Sequence, residues 1–239
     1  MALTRLAAFP DLSADERKAL QDAATSTRTV AAGRDIIHEG EPVDRLYFVA
    51  DGWACRFKTT GGGNRQIVAF AVPGDAANLD SLLFERPDFG VRTLTAVTFL
   101  TMPRQQALLL AATHPGISRA LVWLALLDNA TLRQWSLCLG RHSAPQRLAH
   151  LLCELSVRLD GEAGEKSSFS LPLTQEHIAD ALGLTSVHVN RTFQYLRSLG
   201  LVVTGQRTIT IPDVIRLRRL GDFDPAYLHR GSEMPAPTG

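Results

Sequence analysis

Apolar residues between positions 173 and 211 recur first at helical and then at strand spacing, and the change of period outlines a small folded device. Ile178, Ala179 and Leu182 form one stripe along a short helix. Thr174 is placed to cap it, and Glu176 stands in the first turn, where the helix dipole favours a carboxylate. Gly183 stops the helix. A second helix begins at the capping pair Thr185 and Ser186 and turns Val189, Phe193 (or Thr192), Leu196 and Leu199 inward. Its other face carries Ser186, Val187, Asn190, Arg191 and Gln194. The small Ala179, four residues before Gly183, lets the two helices cross closely. Residues 201–203, a Thr204-Gly205-Gln206 turn and residues 208–211 then alternate as a β-hairpin. Two steeply crossed helices followed by a hairpin predict a winged helix-turn-helix, whose second helix lies in the DNA major groove.

Upstream the pattern is different. Ser13-Ala14-Asp15-Glu16 reads as a capping box opening a short amphipathic helix. After it come short apolar runs at 36–37, 46–49, 54–57, 67–70, 94–97 and 99–102, with Gly33, Gly40, Gly52, Gly61 to Gly63 and Gly74 between them. Short strands at such spacing, without crossover helices, predict a sandwich or jelly roll. From 115 to about 140 the chain is helical and apolar on more than one side. Ile117, Leu121, Leu124, Thr131, Trp135 and Cys138 follow a 4-3 alternation, while Trp123, Leu127, Ala130 and Leu137 line another side. The first stripe is expected to pack on a second copy of the helix and the other side on the β-domain, which makes this a dimerisation helix. A break is expected at Gly140-Arg141-His142. Ser143 and Gln146 form another capping box, and Leu148, Leu151, Leu152 and Leu155 mark the next helix. Residues 161–168 read as a polar loop. The expected architecture is α+β: a double-stranded β-helix (jelly roll), a long dimerisation helix and a C-terminal winged helix-turn-helix. The expected boundaries are a sensor domain over 1–140 with the helix at about 115–140, a DNA-binding domain over 141–222 and a tail over 223–239.

Charge sharpens this picture locally. The whole chain of 239 residues carries a net +1. Residues 1–140 sum to zero, whereas 184–220 holds Arg191, Arg197, Arg207, Arg216, Arg218 and Arg219 against Asp213 alone. Such a face suits phosphate contacts. The longest apolar run, 120–127, is too short to span a bilayer, and no basic-then-apolar leader precedes it, so a cytoplasmic protein without membrane contact is expected. Cys55, Cys138 and Cys153 are odd in number and lack Cys-x-x-Cys or Cys/His ligand spacing; buried free thiols are expected, and no metal site. No nucleophile–base arrangement is evident, and Gly61 to Gly63 lack the Lys-Ser/Thr of a P-loop. No enzyme is expected.

The stretches IIHEGEPVDRLYFVADGWA, LGRHSAPQRLAHLLCEL and ADALGLTSVHVNRTFQYLRSLGLV, in this order over nearly the whole chain, resemble the CRP/FNR superfamily of bacterial transcription regulators. The resemblance implies a homodimer, a palindromic double-stranded DNA operator, RNA polymerase as a partner and a small effector bound between β-roll and long helix. It also implies roles for single residues. Arg191 falls at the last base-reading arginine, suited to guanine O6 and N7. Ser186 and Val187 stand where the family often has Arg or Ser followed by Glu, so cytosine N4 loses its acceptor and Val187 is suited to a thymine methyl. Thr185 and His188 are expected at phosphates, with Asn190, Gln194 and the wing's Arg207 completing the contact.

The effector pocket departs from the cyclic-AMP-binding pattern. In Gly74-Asp75-Ala76-Ala77-Asn78-Leu79-Asp80, Leu79 stands at the ribose-binding glutamate. Pro87 and Asp88 stand at the Arg-Ser or Arg-Thr pair that holds the phosphate, where a carboxylate repels. Arg86 or Arg92 is the available substitute. The pocket is expected around Asn78, Leu79, Asp80, Asp88, Arg92, Leu132 and Arg133, with cyclic AMP disfavoured, an unknown effector allowed and no cofactor expected. No cysteine precedes Cys55, so an N-terminal iron–sulfur cluster lacks ligands. His38 and His114 read as surface histidines rather than haem ligands. The alternative is a cyclic-nucleotide-binding signalling module acting through protein partners, against which the arginine-rich outward face argues.

Overall fold

The structure is a computed structural model describing residues 12–24, 26–160 and 164–229, with Leu6 and Phe9. The described residues divide into two compact units. One runs through Lys58, resumes over Phe70–Ala130 and includes Leu228 and His229; the other comprises Thr59–Ala69 and Thr131–Tyr227.

In the first unit, helix α1 (Ala14–Ala23) opens with the expected capping box: the Ser13 hydroxyl accepts from the Glu16 N–H at 3.2 Å, and the Glu16 carboxylate accepts from the Ser13 N–H at 2.8 Å. Strands β1 (Ser26–Val30), β2 (Asp35–Ile37), β3 (Arg45–Asp51), β4 (Ala54–Thr59), β6 (Gly90–Thr93) and β7 (Val97–Pro103) follow, with β5 (Arg65–Ala71), whose residues up to Ala69 belong to the second unit. They form two sheets ordered β1-β7-β3 and β2-β6-β4-β5. Tyr47, Val49, Val97 and Phe99 of one sheet share a buried cluster with Ile37, Ala54 and Val91 of the other, so the sheets close over a common core. A second cluster joins Leu20 of α1, Leu46 and Phe48 of β3, Ala107 and Leu110 of helix α2 (Arg104–Thr113), and Ile117, Ala120, Leu121 and Leu124 of helix α3 (Pro115–Arg141).

The run 94–97 is a turn that only Val97 leaves as strand. Leu94 N–H donates to the Trp53 carbonyl at 2.8 Å, and Trp53 N–H donates to the Thr95 hydroxyl at 2.9 Å. Gly52, at φ +82°, lets the Ala96 carbonyl lie where a side chain would stand. Strands β1 and β6 and helix α2 were not expected. β1 reads STRTV and exposes four of its five residues, so it offers almost no apolar alternation.

The second unit holds the end of α3, helix α4 (Ala144–Asp160), strand β8 (Ser167–Ser170), helices α5 (Gln175–Leu182) and α6 (Ser186–Ser198), strands β9 (Val203–Thr204) and β10 (Thr208–Ile211), and helix α7 (Val214–Leu220). α3 runs on through Gly140, so the break falls at His142-Ser143 rather than at Gly140. Residues 161–163 of the expected loop lie outside the described residues. Its end is strand β8, in a β8-β10-β9 sheet with Phe169 opposite Ile209. Four residues alternating buried and exposed are too few to announce themselves among serines. The segment after 222 is not all tail: Phe223 packs its ring against His150 at 5.0 Å. Residues 230–239 lie outside the described residues. No single helix among the described residues is long and apolar enough to cross a membrane.

Candidate nucleic-acid interface

Helix α5 is capped as its sequence predicts, with the Thr174 side chain accepting from His177 N–H at 3.1 Å. It ends at Gly183, whose φ of +63° is the left-handed geometry that glycine adopts without strain. Ile178, Ala179 and Leu182 are buried. Thr185 caps α6, its hydroxyl accepting from His188 N–H at 3.2 Å. Val189, Leu196 and both Thr192 and Phe193 are buried, and the Thr192 hydroxyl donates to the His188 carbonyl at 2.8 Å. Leu199 is exposed, because α6 ends at Ser198 and Leu199 lies beyond its last turn.

Burial on one face fixes what the other presents. Ser186, Val187, His188, Arg191 and Gln194 are exposed, Asn190 is half-buried, and Val187 is 63% exposed despite being apolar. Thr185, Val187, His188, Arg191 and Thr192 line one groove with Pro145 and Tyr195. Tyr195 and Pro145 were missed; Tyr195 was legible, standing four residues after Arg191 on the same helical face. Arg207 sits in the β9–β10 turn at φ +58°, its carbonyl accepting from Leu171 N–H at 2.9 Å. Its side chain is exposed, as are Arg197, Arg216 and Arg219. Arg197 donates to the Thr204 hydroxyl at 3.0 Å, tying α6 to the wing. Arg218 is turned inward over the Phe223 ring, 5.7 Å from its centroid, and leaves the basic face. On the opposite side of α5, Arg65 pairs with Asp180 at 2.7 Å and Gln66 donates to the Ala181 carbonyl at 3.1 Å.

The expected effector residues are dispersed. Asn78 is buried as a structural bridge, accepting from Tyr47 N–H at 2.8 Å and donating to the Arg45 carbonyl at 3.0 Å. Leu79 is in the apolar core, while Asp80 and Asp88 are exposed. Asp88 meets Lys58, whose ammonium also pairs with Glu39. Arg92 is committed to Asp35 by two hydrogen bonds of 2.6 and 2.7 Å and stacks over Phe57, so it is no spare phosphate ligand. Arg86 donates to the Gly40 carbonyl at 2.9 Å. Leu132 and Arg133 are exposed on α3.

A partly buried cation of the roll is one that sequence reasoning missed. Arg56 of β4 pairs with Asp128 at 2.9 Å beside the Phe89 ring. Burial opposes its charge, but Asp128, with Asp80 and Asp75, more than offsets that and holds the guanidinium above its usual pKa. All three cysteines are buried, and none is in a disulfide. Burial pushes the Cys138 thiol up to about 11 and the Cys153 thiol to about 12.

The expected dimer stripe is used up inside the chain. Ile117, Leu121 and Leu124 belong to the roll's apolar cluster. Trp135 is buried with its indole N–H on Glu154 at 2.8 Å, Cys138 is buried and Thr131 is half-buried. The apolar residues that α3 exposes are Val122, Leu126, Leu132 and Leu137. With one stripe claimed by the core, a period of 3.6 puts Val122, Leu126 and Leu137 together on the far face and Leu132 at its edge.

A β-roll followed by a long helix and a winged helix-turn-helix, with a polar and basic face on its second helix, defines a DNA-binding regulator. Residues 27–114 match the family model of the cyclic nucleotide-binding domain, and residues 146–220 that of the Crp-like helix-turn-helix domain. The nitrogen fixation regulation protein FixK of Bradyrhizobium diazoefficiens is 30% identical over 190 residues, which cover 80% of this chain and 79% of that one. The transcriptional activatory protein AadR of Rhodopseudomonas palustris is 30% identical over 189 residues, 79% of this chain and 76% of that one. The solved structure of FixK2 from Bradyrhizobium japonicum superposes with a TM-score of 0.74 at 26% identity, covering 82% of this chain and 96% of that one. The chain belongs to the CRP/FNR family of DNA-binding transcription regulators. These relatives are regulators, not enzymes.

Proposed function

We propose that this regulator works in the cytoplasm as a homodimer that reads a palindromic operator, each protomer placing α6 in one major groove. The carrying observation is the exposed face of α6, where Arg191, Gln194 and Val187 stand clear of a helix whose other side is buried. Arg191 forks onto a guanine, Val187 meets a thymine methyl, and Thr185, His188 and Arg207 hold phosphates. The dimer forms along the exposed Val122, Leu126, Leu132 and Leu137 of α3, in place of the stripe that the core consumes. RNA polymerase is the partner that the family resemblance supplies. The roll binds a small effector other than cyclic AMP, or sets DNA affinity without one; the commitment of Arg92 to Asp35 and the exposure of Asp88 support that reading.

Selection from randomised duplexes tests it. The expected product is a twofold-symmetric sequence with half-sites about one helical turn apart. Enrichment of asymmetric sequences, or none at fixed salt, defeats the proposal.

A further inference from the structure

Where α3 gives way to α4, three ligand-bearing side chains converge, two of them four residues apart in sequence and the third brought in from the next helix. Cys138 and His142 lie one turn apart at the end of α3, and His150 faces them from α4. Their ligand atoms all lie within 4.8 Å of one another, and all three residues are buried. They belong to the unit that carries the winged helix-turn-helix. His142 is only 9% exposed, yet its Nδ1 has no hydrogen-bond partner. A buried ring nitrogen left without a partner costs free energy unless something outside the chain satisfies it. The other nitrogen, Nε2, stands 3.6 Å from the Asp222 carboxylate, the partner that orients and polarises a metal-bound imidazole. Cys138 and His150 also line a small cavity of about 20 Å³, room for one water-sized particle.

We propose that Cys138, His142 and His150 form a binding site for a divalent ion of the zinc class. One thiolate and two imidazoles are a ligand set that favours zinc over magnesium or calcium, and a spread of 4.8 Å needs only a modest contraction to reach bonds of about 2.0–2.3 Å. The ion takes the lone pair of the Cys138 sulfur and releases its proton to solvent. His150 gives up one of its two contacts, with the Gly221 carbonyl at 3.0 Å or the Tyr227 hydroxyl at 3.2 Å, and keeps the other to fix its ring. Of the neighbouring charges, Arg147 is tied to the His142 and Leu182 carbonyls, each at 2.9 Å. Glu154 accepts from Trp135, Tyr227 and Arg158. Asp222 is 79% exposed and marks the side from which an ion enters. The site spans the break between α3 and α4, so an ion there ties the end of the long helix to the reading head.

Cobalt(II) titrated into the chelator-treated full chain provides the test. The expected result is one ion per chain, with the thiolate-to-cobalt charge-transfer band and intense visible bands of a tetrahedral site. Cys138→Ser abolishes the charge-transfer band, whereas Cys153→Ser keeps it. His142→Gln and His150→Gln each bind at least about tenfold more weakly. Zinc raises the melting temperature of the parent with increasing concentration, and that of Cys138→Ser far less. No charge-transfer band in a chain that melts cooperatively, or a band that survives Cys138→Ser, overturns the site. Should Cys138→Ser not fold, His142→Gln decides: unchanged cobalt affinity and spectrum overturn it as well.

Discussion

Arg191 stands exposed on a helix whose inward positions are all occupied, so its guanidinium has no structural duty that competes with DNA. Replacing it with alanine would remove the proposed bidentate pair to guanine without opening the core. We expect Arg191→Ala to cost about 1–3 kcal/mol on the best operator and to erase the preference at one base pair. Titrations against operators varied at that position check it, and equal affinities for mutant and parent defeat the assignment. Glu16 makes a different case. Its carboxylate accepts from Ser13 N–H at 2.8 Å and from Gly116 N–H at 2.7 Å, linking α1 to the start of α3. Gly116 has no side chain because that carboxylate fills the space. The backbone hydrogen bond from Ser13 leads the forces that lower the pKa of Glu16 from its ordinary 4.5. A carboxylate with a lower pKa in the folded chain stabilises fully above its unfolded value, and the contribution is lost as pH falls through the folded one. Glu16→Gln should therefore cost about 1 kcal/mol at pH 7, the scale of one lost cap in a solvent-screened site, and less at an acid pH below the lowered pKa, where the carboxyl is protonated. Melting curves at the two pH values report it, and an equal loss at both would falsify the charge argument.

At the scale of elements, the wing offers a test that separates charge from shape. Arg207 holds φ at +58°, which glycine adopts at less cost, so Arg207→Gly deletes the cation while easing the turn. If Arg207 meets a phosphate, this variant binds all duplexes more weakly by a similar factor and shallows the salt dependence by about one unit of log slope, with unchanged or higher stability. A loss confined to one sequence means that Arg207 reads a base instead. Elements with a strong apolar signal were legible: the two helices around Gly183 by their helical period, β7 by alternation over residues 97–101, and β3 by an unbroken apolar run that is buried throughout. β1, β6 and β8 were not, because a polar edge strand or a four-residue strand gives periodicity too few apolar terms. The reading face of α6 was visible for the same reason that its buried face was. Arg56 and Asp128 were not, since 72 residues separate them and only the closed roll brings them together.

At the scale of the whole molecule, the proposed homodimer depends on which side of α3 would meet a second copy. Sequence periodicity identified two apolar sides and assigned the one with Ile117, Leu121 and Leu124 to the dimer; the fold instead buries those three in the roll's core and leaves Val122, Leu126, Leu132 and Leu137 exposed. A single reading head makes few base contacts, and operator affinity comes from joining two heads at a fixed separation, so that the second binds at a high effective concentration. A charge in the middle of the exposed stripe therefore attacks DNA binding from a distance. Leu126 is 61% exposed in the isolated chain, so Leu126→Glu leaves each protomer's fold intact while burying an unpaired carboxylate in the dimer. We expect sedimentation to show monomers and operator affinity to fall on the order of 10²-fold or more, with the melting of the separate chain little changed. Ile117→Glu provides the contrast: it places a charge in the roll's core at a residue 1% exposed and should unfold the chain rather than divide the dimer. A Leu126→Glu protein that stays dimeric and keeps its operator affinity moves the interface off this face of α3, and with it the geometry that sets the spacing of the two half-sites.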